Sequence, residues 1–144
     1  MRKNIMLLVI LLLLFSLVSC KQNESNKLKG VITEVGHSDR FSEKEIKGAI
    51  NTVKDEFDFE GCTLKKVWYE QEKSDYATSA YLGTGKGSIN GIDPENVIVL
   101  FTEFDVDSKG GDGSFEPNST YDDWQFILIR DSAKDNWKID DWGY

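Results

Sequence analysis

The amino-acid sequence predicts an α+β fold, in which one N-terminal helix packs on a curved antiparallel sheet of about four strands. Two observations lead to this prediction. One segment, residues 42–58, repeats apolar residues with the periodicity of a helix that covers a core. Four later segments are rich in β-branched and aromatic residues and are separated by turn-forming residues. The region from residue 38 to residue 144, of about 105 residues, is long enough for one hydrophobic core and too short for two.

The helix at 42–58 is predicted from its ends as well as from its apolar face. Ser42 and Glu45 have the spacing of a capping box, and Phe41 and Ile46 that of a hydrophobic staple. Gly61 follows shortly after the last apolar position, as glycine often does where a helix stops. We expect the apolar face of this helix to cover the sheet. Its residues are Ile46, Ala49, Ile50, Val53 and Phe57.

Four strands are predicted at 62–70, 95–106, 123–130 and 136–144. The second, ENVIVLFTEFDV, is apolar on both faces, which is typical of a central strand covered on each side. Residues 71–94 are ambiguous, because their first half could form a short helix whereas their glycine-rich second half indicates a loop. A helix followed by such a sheet occurs in the cystatin-like and NTF2-like architectures, and the second of these encloses a pocket. Fold analogy alone predicts no function.

The first 20 residues, MRKNIMLLVILLLLFSLVSC, predict export and lipid anchoring. A short basic start precedes an apolar run that is too short for a transmembrane helix of about 20 residues, which is the pattern of a secretory signal. The final LVSC resembles the lipobox of bacterial lipoproteins, in which the cysteine is acylated and becomes the new N-terminus. We therefore expect a signal peptide at 1–19 and a lipid on Cys20. A plain signal peptide or an N-terminal membrane anchor is the alternative.

These features predict a protein held on the extracytoplasmic face of the cell membrane. The chain has a formal net charge of -8, and loss of Arg2 and Lys3 with the signal peptide makes it more negative. Such a surface argues against nucleic acid, whose phosphates require clustered lysine and arginine. It also repels anionic lipid headgroups, so we expect the lipid anchor to be the only membrane contact. The polar residues 20–37 are predicted to be a tether between the anchor and the domain.

Few residues are available for nucleophilic catalysis. With Cys20 acylated, Cys62 has no disulfide partner, and we expect it to be buried as a packing residue. The one histidine, His37, lies at the end of the predicted tether, where a solvated side chain is expected rather than a catalytic base. No catalytic residue is therefore predicted.

Two pairs of adjacent carboxylates lie at or within the predicted strands, and their faces can be predicted if both members belong to a strand. They are Asp122-Asp123 and Asp140-Asp141. Neighbouring residues of a regular strand point to opposite faces of the sheet, so each pair is expected to be split between the two faces. This expectation argues against a shared carboxylate site.

Residues 105–116, DVDSKGGDGSFE, match a calcium-binding loop in part. Carboxylates stand at positions 1, 3 and 12 and a glycine at position 6. However, Lys109 stands at position 5, where an oxygen ligand is required, and Pro117 prevents a helix from leaving the loop. A long acidic connection between two strands is the favoured interpretation, and a calcium site is the alternative. The carboxylates of that site would be Asp105, Asp107, Asp112 and Glu116.

The segments FDVDSKGGDGSFEPNSTYDDWQFILIR and NWKIDDWGY resemble a family of uncharacterised small lipoproteins of Gram-positive bacteria, such as clostridia and bacilli. A similar domain is also appended to some membrane-bound sensor peptidases. The resemblance covers about residues 38–144, including FSEKEIKGAINTVKDEF and GCTLKKVWYE. It implies a bacterial surface domain of unknown function, and it implies no catalytic or binding residue.

The sequence thus predicts a non-catalytic binding or interaction module for an unknown protein or small molecule. The ligand would bind on a sheet face, in a pocket, or on the aromatic C-terminal strand that carries Trp137, Trp142 and Tyr144. No cofactor is predicted, although calcium is possible. One alternative is a calcium-binding surface domain that uses the 105–116 loop. Another is an enzyme with a carboxylate base in an NTF2-like pocket.

Overall fold

The structure is a computed structural model, and it describes residues 30–144. A five-stranded mixed sheet forms its centre, with strand order β1-β2-β3-β4-β5. β1 pairs with β2 in parallel, and every other pair is antiparallel. The elements are β1 (Ile32–Val35), α1 (Glu43–Glu56), β2 (Cys62–Tyr69), α2 (Gln71–Thr84), α3 (Gly87–Asn90), a 3-10 turn (Pro94–Asn96), β3 (Val97–Val106), β4 (Thr120–Ile129) and β5 (Lys138–Gly143).

The predicted architecture was wrong, although the fold is α+β. The sheet has five strands rather than four, and it is mixed rather than antiparallel because β1 runs parallel to β2. Helix α1 follows β1 and is therefore not the N-terminal element. The cystatin-like or NTF2-like order of a helix followed by an antiparallel sheet fails for the same reason. β1 lacks a buried face, since Ile32 is 58% exposed, and it lies within residues 20–37, for which a tether was predicted.

The helix predicted at 42–58 is confirmed as α1. The Ser42 hydroxyl accepts a hydrogen bond from the Glu45 backbone N–H at 3.3 Å, and the Glu45 carboxylate accepts one from the Ser42 N–H at 2.8 Å. This is the reciprocal capping box. Four of the five residues on the predicted face are at most 2% exposed, and Phe57 just beyond the helix is 7% exposed. α1 therefore covers one face of the sheet, as its periodicity predicts.

The four predicted strands correspond to β2, β3, β4 and β5. β3 is central, and side chains on both of its faces are buried. On the face towards α1, Leu100 and Phe104 join Phe126 and Leu128 of β4 in the main core, and each is at most 2% exposed. Burial of this aromatic and aliphatic surface is the main source of stability for the fold.

Helix α2 lies on the opposite face of the sheet, in the segment whose structure was ambiguous from the sequence. Its residue Ala77 packs with Trp68, Val99 and Phe101 in a second, smaller hydrophobic cluster. The fully buried Ser74 accepts a hydrogen bond at its hydroxyl from the Val99 backbone N–H, at 3.2 Å. The glycine-rich second half, for which a loop was predicted, contains the four-residue helix α3.

An ion pair between a buried arginine and a partly exposed glutamate joins the start of α1 to the end of β4. Arg130 is 5% exposed, and its Nη1 lies 2.8 Å from Oε1 of Glu45. Its guanidinium carbon lies 4.3 Å from the centre of the Trp137 ring, whose indole N–H donates to the Glu45 carbonyl at 3.0 Å. Glu45 thus caps its own helix and also neutralises a buried cation.

The described residues leave the N-terminal predictions untested. The predicted signal peptide, Cys20 and the first part of the predicted tether lie outside residues 30–144. Within those residues, no helix combines the length and the apolar character needed to cross a bilayer.

Candidate functional site

A β-bulge in β4 creates the most distinctive surface of the domain. In the pairing of β3 and β4, Thr102 lies opposite Trp124, and Phe104 lies opposite Tyr121. The single β3 residue between these two positions therefore faces two residues of β4. The two residues are Asp122 and Asp123. Asp123 has a φ of 56°, in the left-handed region that non-glycine residues seldom occupy.

The bulge places Asp122 and Asp123 on the same face of the sheet. Both carboxylates line a cleft of about 470 Å³ on the face that carries α2. Opposite them in the pairing of β3 and β4 is Glu103, which lines the same cleft. The expectation that the two aspartates would be split between the faces was therefore wrong, because it assumed a regular strand.

A second cleft, of about 420 Å³, adjoins the first. The two clefts share Glu70, Lys73 and Asp123 in their linings. We call the two clefts together the α2 groove, because the first turn of α2 forms one of its walls. Tyr76 and Tyr144 line the second cleft and are 81% and 74% exposed.

The floor of the α2 groove is aromatic. Trp68 of β2 and Phe101 of β3 lie with their ring centres 6.1 Å apart and are 9% and 3% exposed. α2 covers these two strands only in part. The next side chain of β2 along this face, Lys66, is half-buried, and Asp122 is exposed.

Lys73 lies between the two clefts. Its Nζ is 2.9 Å from Oδ1 of Asp123, 3.6 Å from Oε2 of Glu70, and 5.6 Å from the centre of the Phe101 ring. The hydrogen bond to Asp123 is the main reason why the pKa of Lys73 is raised above its ordinary value of 10.5. Lys73 is therefore held as a cation across the groove.

Lys66 has a similar environment in the first cleft. Its Nζ lies 2.9 Å from Oε2 of Glu34 and 4.8 Å from the centre of the Trp68 ring. The two clefts are lined by six carboxylates and by these two lysines, so the potential in the groove is negative. Because its floor is aromatic, the groove is suited to an organic cation rather than to an anion.

A repeated sequence pattern could have located this bulge. In each of three strands an adjacent pair of like charges stands between apolar residues, as LKKV (64–67), YDDW (121–124) and IDDW (139–142). Each of the three lies at a shift in strand pairing. The flanking apolar residues, three positions apart, contact the α1 side of the sheet. The charged pair between them is therefore displaced to the other face.

The third of these pairs shows the same displacement. The Asp140 carboxylate accepts a hydrogen bond from the Tyr81 hydroxyl of α2 at 2.8 Å, and Oδ1 of Asp141 lies 3.1 Å from Nζ of Lys86. Burial and the bond to Asp140 raise the pKa of Tyr81 to about 12. These contacts attach the end of α2 to the edge strand β5.

The carboxylates of the predicted calcium loop accept hydrogen bonds from the chain itself. Asp105 lies on β3, where it accepts from the Thr120 hydroxyl at 2.8 Å. Asp107 accepts from two backbone N–H groups of the loop, those of Lys109 at 2.9 Å and Gly111 at 3.1 Å. These bonds lower the pKa of Asp107, the bond from Gly111 being the largest cause. Asp105 and Asp107 thus accept hydrogen bonds that support the loop.

The other two predicted calcium ligands, Asp112 and Glu116, have different hydrogen-bond partners from Asp105 and Asp107. Asp112 accepts from the backbone N–H of Ser114 at 3.0 Å, and the backbone N–H of Glu116 donates to the Tyr121 hydroxyl at 3.3 Å. Within residues 30–144, no group of three or more histidine, cysteine, aspartate or glutamate side chains is arranged to hold a metal ion. Calcium binding by the loop stays a prediction.

The loop between β3 and β4 is docked on the body of the domain. Gly111 has a φ of 65°, and a Cβ there would lie 2.5 Å from the Glu60 carbonyl oxygen. The Phe115 ring packs between Phe59 and Phe104, with centres 5.6 Å and 5.5 Å away. The loop is therefore attached to the domain through Gly111 and Phe115, whereas most of its other residues are exposed.

Other residues from the sequence analysis have structural or solvated positions. Cys62 is buried in the main core at 4% exposure, as predicted for a packing residue. The His37 side chain is 84% exposed and lies 3.1 Å from Asp39. Of the C-terminal aromatics, Trp137 is 6% exposed, whereas Trp142 is 54% exposed and Tyr144 borders the groove.

Comparison with known proteins places the chain in a family. No curated protein and no solved structure matches it significantly. Residues 21–143 match the family described as a domain of unknown function (DUF4829). Because this match spans most of the sequence, including every described residue except Tyr144, the chain belongs to the DUF4829 family.

Proposed function

We propose that this DUF4829 protein is a lipid-anchored extracytoplasmic bacterial lipoprotein whose domain binds a protein or small molecule in the α2 groove, without catalysis. The observation that carries the proposal is the groove itself. It has an aromatic floor of Trp68 and Phe101 beneath a wall of charged side chains. Both rings also pack with Ala77 of α2, so the groove gives access to only a small part of their surface, and the charged wall provides most of the contacts.

The backbone beside the groove supports a functional role. A left-handed aspartate within a strand is strained, and such strain concentrates at binding and catalytic sites. Asp123 is the left-handed residue, and its carboxylate reaches Lys73 across the groove. The exposed rings of Tyr76 and Tyr144 extend the contact surface, as aromatic side chains do in many recognition sites.

A cross-linking experiment in intact cells tests the binding site. A photo-reactive amino acid at Tyr76, on the wall of the groove, should give adducts that depend on Asp123 and are reduced in Asp123→Asn. The control position is Ile89, which is 89% exposed and does not line the groove. Identical adducts from both positions, or no adduct from Tyr76, would count against the groove as the binding site.

The anchor rests on LVSC at residues 17–20 and on the apolar run before it. Acylation of Cys20 would give stable membrane attachment through more than one acyl chain. Cys20→Ala should move the protein from the membrane fraction to the soluble fraction, whereas Cys62→Ala, the control, should leave it on the membrane. Unchanged fractionation of Cys20→Ala would refute the anchor.

The enzyme alternative depended on a pocket between the helix and the sheet. In the structure that space is filled by core side chains, among them Leu100, Phe104 and Phe126, each at most 2% exposed. The fold on which the alternative relied is also corrected above. Neither observation favours a carboxylate base in this region, so the binding module is the function proposed.

A further inference from the structure

We infer that the α2 groove binds its ligand through ammonium groups, and that Lys66 and Lys73 occupy its two cation subsites in the unliganded protein. The inference rests on the proposed role of the groove as a binding site and adds the chemical class of the ligand. The subsites are defined by where the ammonium groups of these two lysines lie.

The first subsite surrounds the ammonium group of Lys73. This group lies over the Phe101 ring, with the ring centre at 5.6 Å, and close to the carboxylates of Asp123 and Glu70, at 2.9 Å and 3.6 Å. An aromatic face within about 6 Å together with a carboxylate is the environment in which proteins hold organic cations.

The second subsite surrounds the ammonium group of Lys66. The Trp68 ring centre lies at 4.8 Å and a Glu34 oxygen at 2.9 Å. Because the Trp68 and Phe101 rings are neighbours, with centres 6.1 Å apart, the two subsites lie side by side. A ligand with two ammonium groups a few methylenes apart could occupy both.

The resident Lys73 can be displaced at low cost, and Lys66, whose side chain is 27% exposed, is held more firmly. The side chains of Lys73 and Asp123 are 44% and 50% exposed, and ion pairs as exposed as this one contribute little to stability. Lysine stems are flexible, so each ammonium group can move into solvent while its helix or strand stays in place.

The groove also contains carboxylates outside the two lysine ion pairs. Glu103 and Asp122 line the first cleft, and neither forms a salt bridge with any residue between 30 and 144. They would interact with a ligand cation without first giving up a lysine partner. Charge complementarity therefore selects an amine over a neutral or anionic ligand of the same size.

Two kinds of ligand present this chemistry, a free diamine and the lysine side chains of a basic peptide. We suggest titrating the 15N-labelled full-length protein in detergent micelles and following its amide and indole signals by NMR. Putrescine represents the diamine, and Nα-acetyl-lysine methylamide represents the peptide. Nα,Nε-diacetyl-lysine methylamide has the same stem without the charge and is the control.

The inference predicts signal changes at Trp68, Phe101 and Asp123 with at least one of the two amines, and none with the diacetylated control. Lys73→Met should tighten binding about five- to tenfold, because the ligand no longer competes with the resident cation. Asp123→Asn should weaken binding by a similar factor while keeping a residue that tolerates the left-handed backbone. Lys47→Met, on α1, should leave the affinity unchanged.

The relative affinities of putrescine and the lysine derivative distinguish the two sources of the amine. The inference fails if neither amine shifts groove signals in the wild type or in Lys73→Met. It also fails if the diacetylated control binds as tightly as the charged derivative. Either result would leave the cross-linking test at Tyr76 unaffected, so the ligand class and the binding site are tested separately.

Discussion

The bulge in β4 predicts that stability and binding respond differently to substitutions at Asp123. Two substitutions remove the carboxylate, and they differ in how well they tolerate a φ of 56°. Alanine keeps the steric clash of a Cβ in the left-handed region, whereas glycine removes it. Asp123→Ala and Asp123→Gly should therefore lose ligand binding to the same extent while differing in stability.

The size of the stability difference follows from two contributions. Both variants lose the ion pair to Lys73, which contributes at most about 1 kcal/mol because its side chains are 44% and 50% exposed. A non-glycine residue in the left-handed region costs roughly 1–2 kcal/mol, and glycine regains part of this at an entropic cost of about 0.5–1 kcal/mol. Asp123→Gly should therefore be more stable than Asp123→Ala by about 1 kcal/mol.

Urea unfolding followed by tryptophan fluorescence measures this difference. With a slope of about 2 kcal/mol per molar urea, the midpoint of Asp123→Gly should lie about 0.5 M above that of Asp123→Ala. Equal midpoints, or a higher midpoint for alanine, would mean that Asp123 is not left-handed. The left-handed form of the bulge would then be absent, and the strain argument for a functional role of Asp123 would fail with it.

Two further predictions concern Glu45 and Asp107. Glu45→Gln should lower the free energy of unfolding by about 1 kcal/mol at pH 7, because it leaves the Arg130 guanidinium without its carboxylate partner, which is itself 29% exposed. The pKa of Glu45 is lowered from 4.5 in the folded protein, chiefly by the hydrogen bond from the Ser42 hydroxyl. The difference in unfolding free energy between wild type and Glu45→Gln should therefore be complete above pH 4.5 and vanish as the pH falls through the folded-state pKa of Glu45. Equal unfolding free energies at pH 7 would contradict this prediction. If the 105–116 loop binds calcium, millimolar calcium should raise the melting temperature of the wild type and not of Asp107→Ala, and no shift in the wild type would rule the site out.

Helix α1 could be predicted from the sequence because its local and tertiary requirements agree. The capping box at Ser42 and the apolar face both describe the same helix, and the sheet buries that face. β1 could not be predicted in this way. Its four residues bury almost no apolar surface, and its partner Lys66 is more than 30 residues away in the sequence. Only parallel pairing with β2 makes it a strand.

The candidate site was missed because the face of a strand residue was derived from regular alternation. That rule fails at a bulge, where one extra residue restarts the alternation. Asp122 and Asp123 were therefore expected on opposite faces, although they lie on the same one. α2 was ambiguous for a different reason. Its sequence, QEKSDYATSAYLGT, has small and polar residues on all sides, so its burial depends on close contact between Ser74, Ala77 and the sheet.

The bulged pairs also bear on how DUF4829 proteins can diverge. In LKKV, YDDW and IDDW the outer residues belong to the α1 side of the sheet and the inner pair to the other side. Substitutions in an inner pair therefore leave the main core untouched, and their effects should add to core mutations without coupling. Members of the family could reverse the charge of the groove, and with it the ligand, by changing pairs such as Asp122-Asp123 on an otherwise unaltered scaffold.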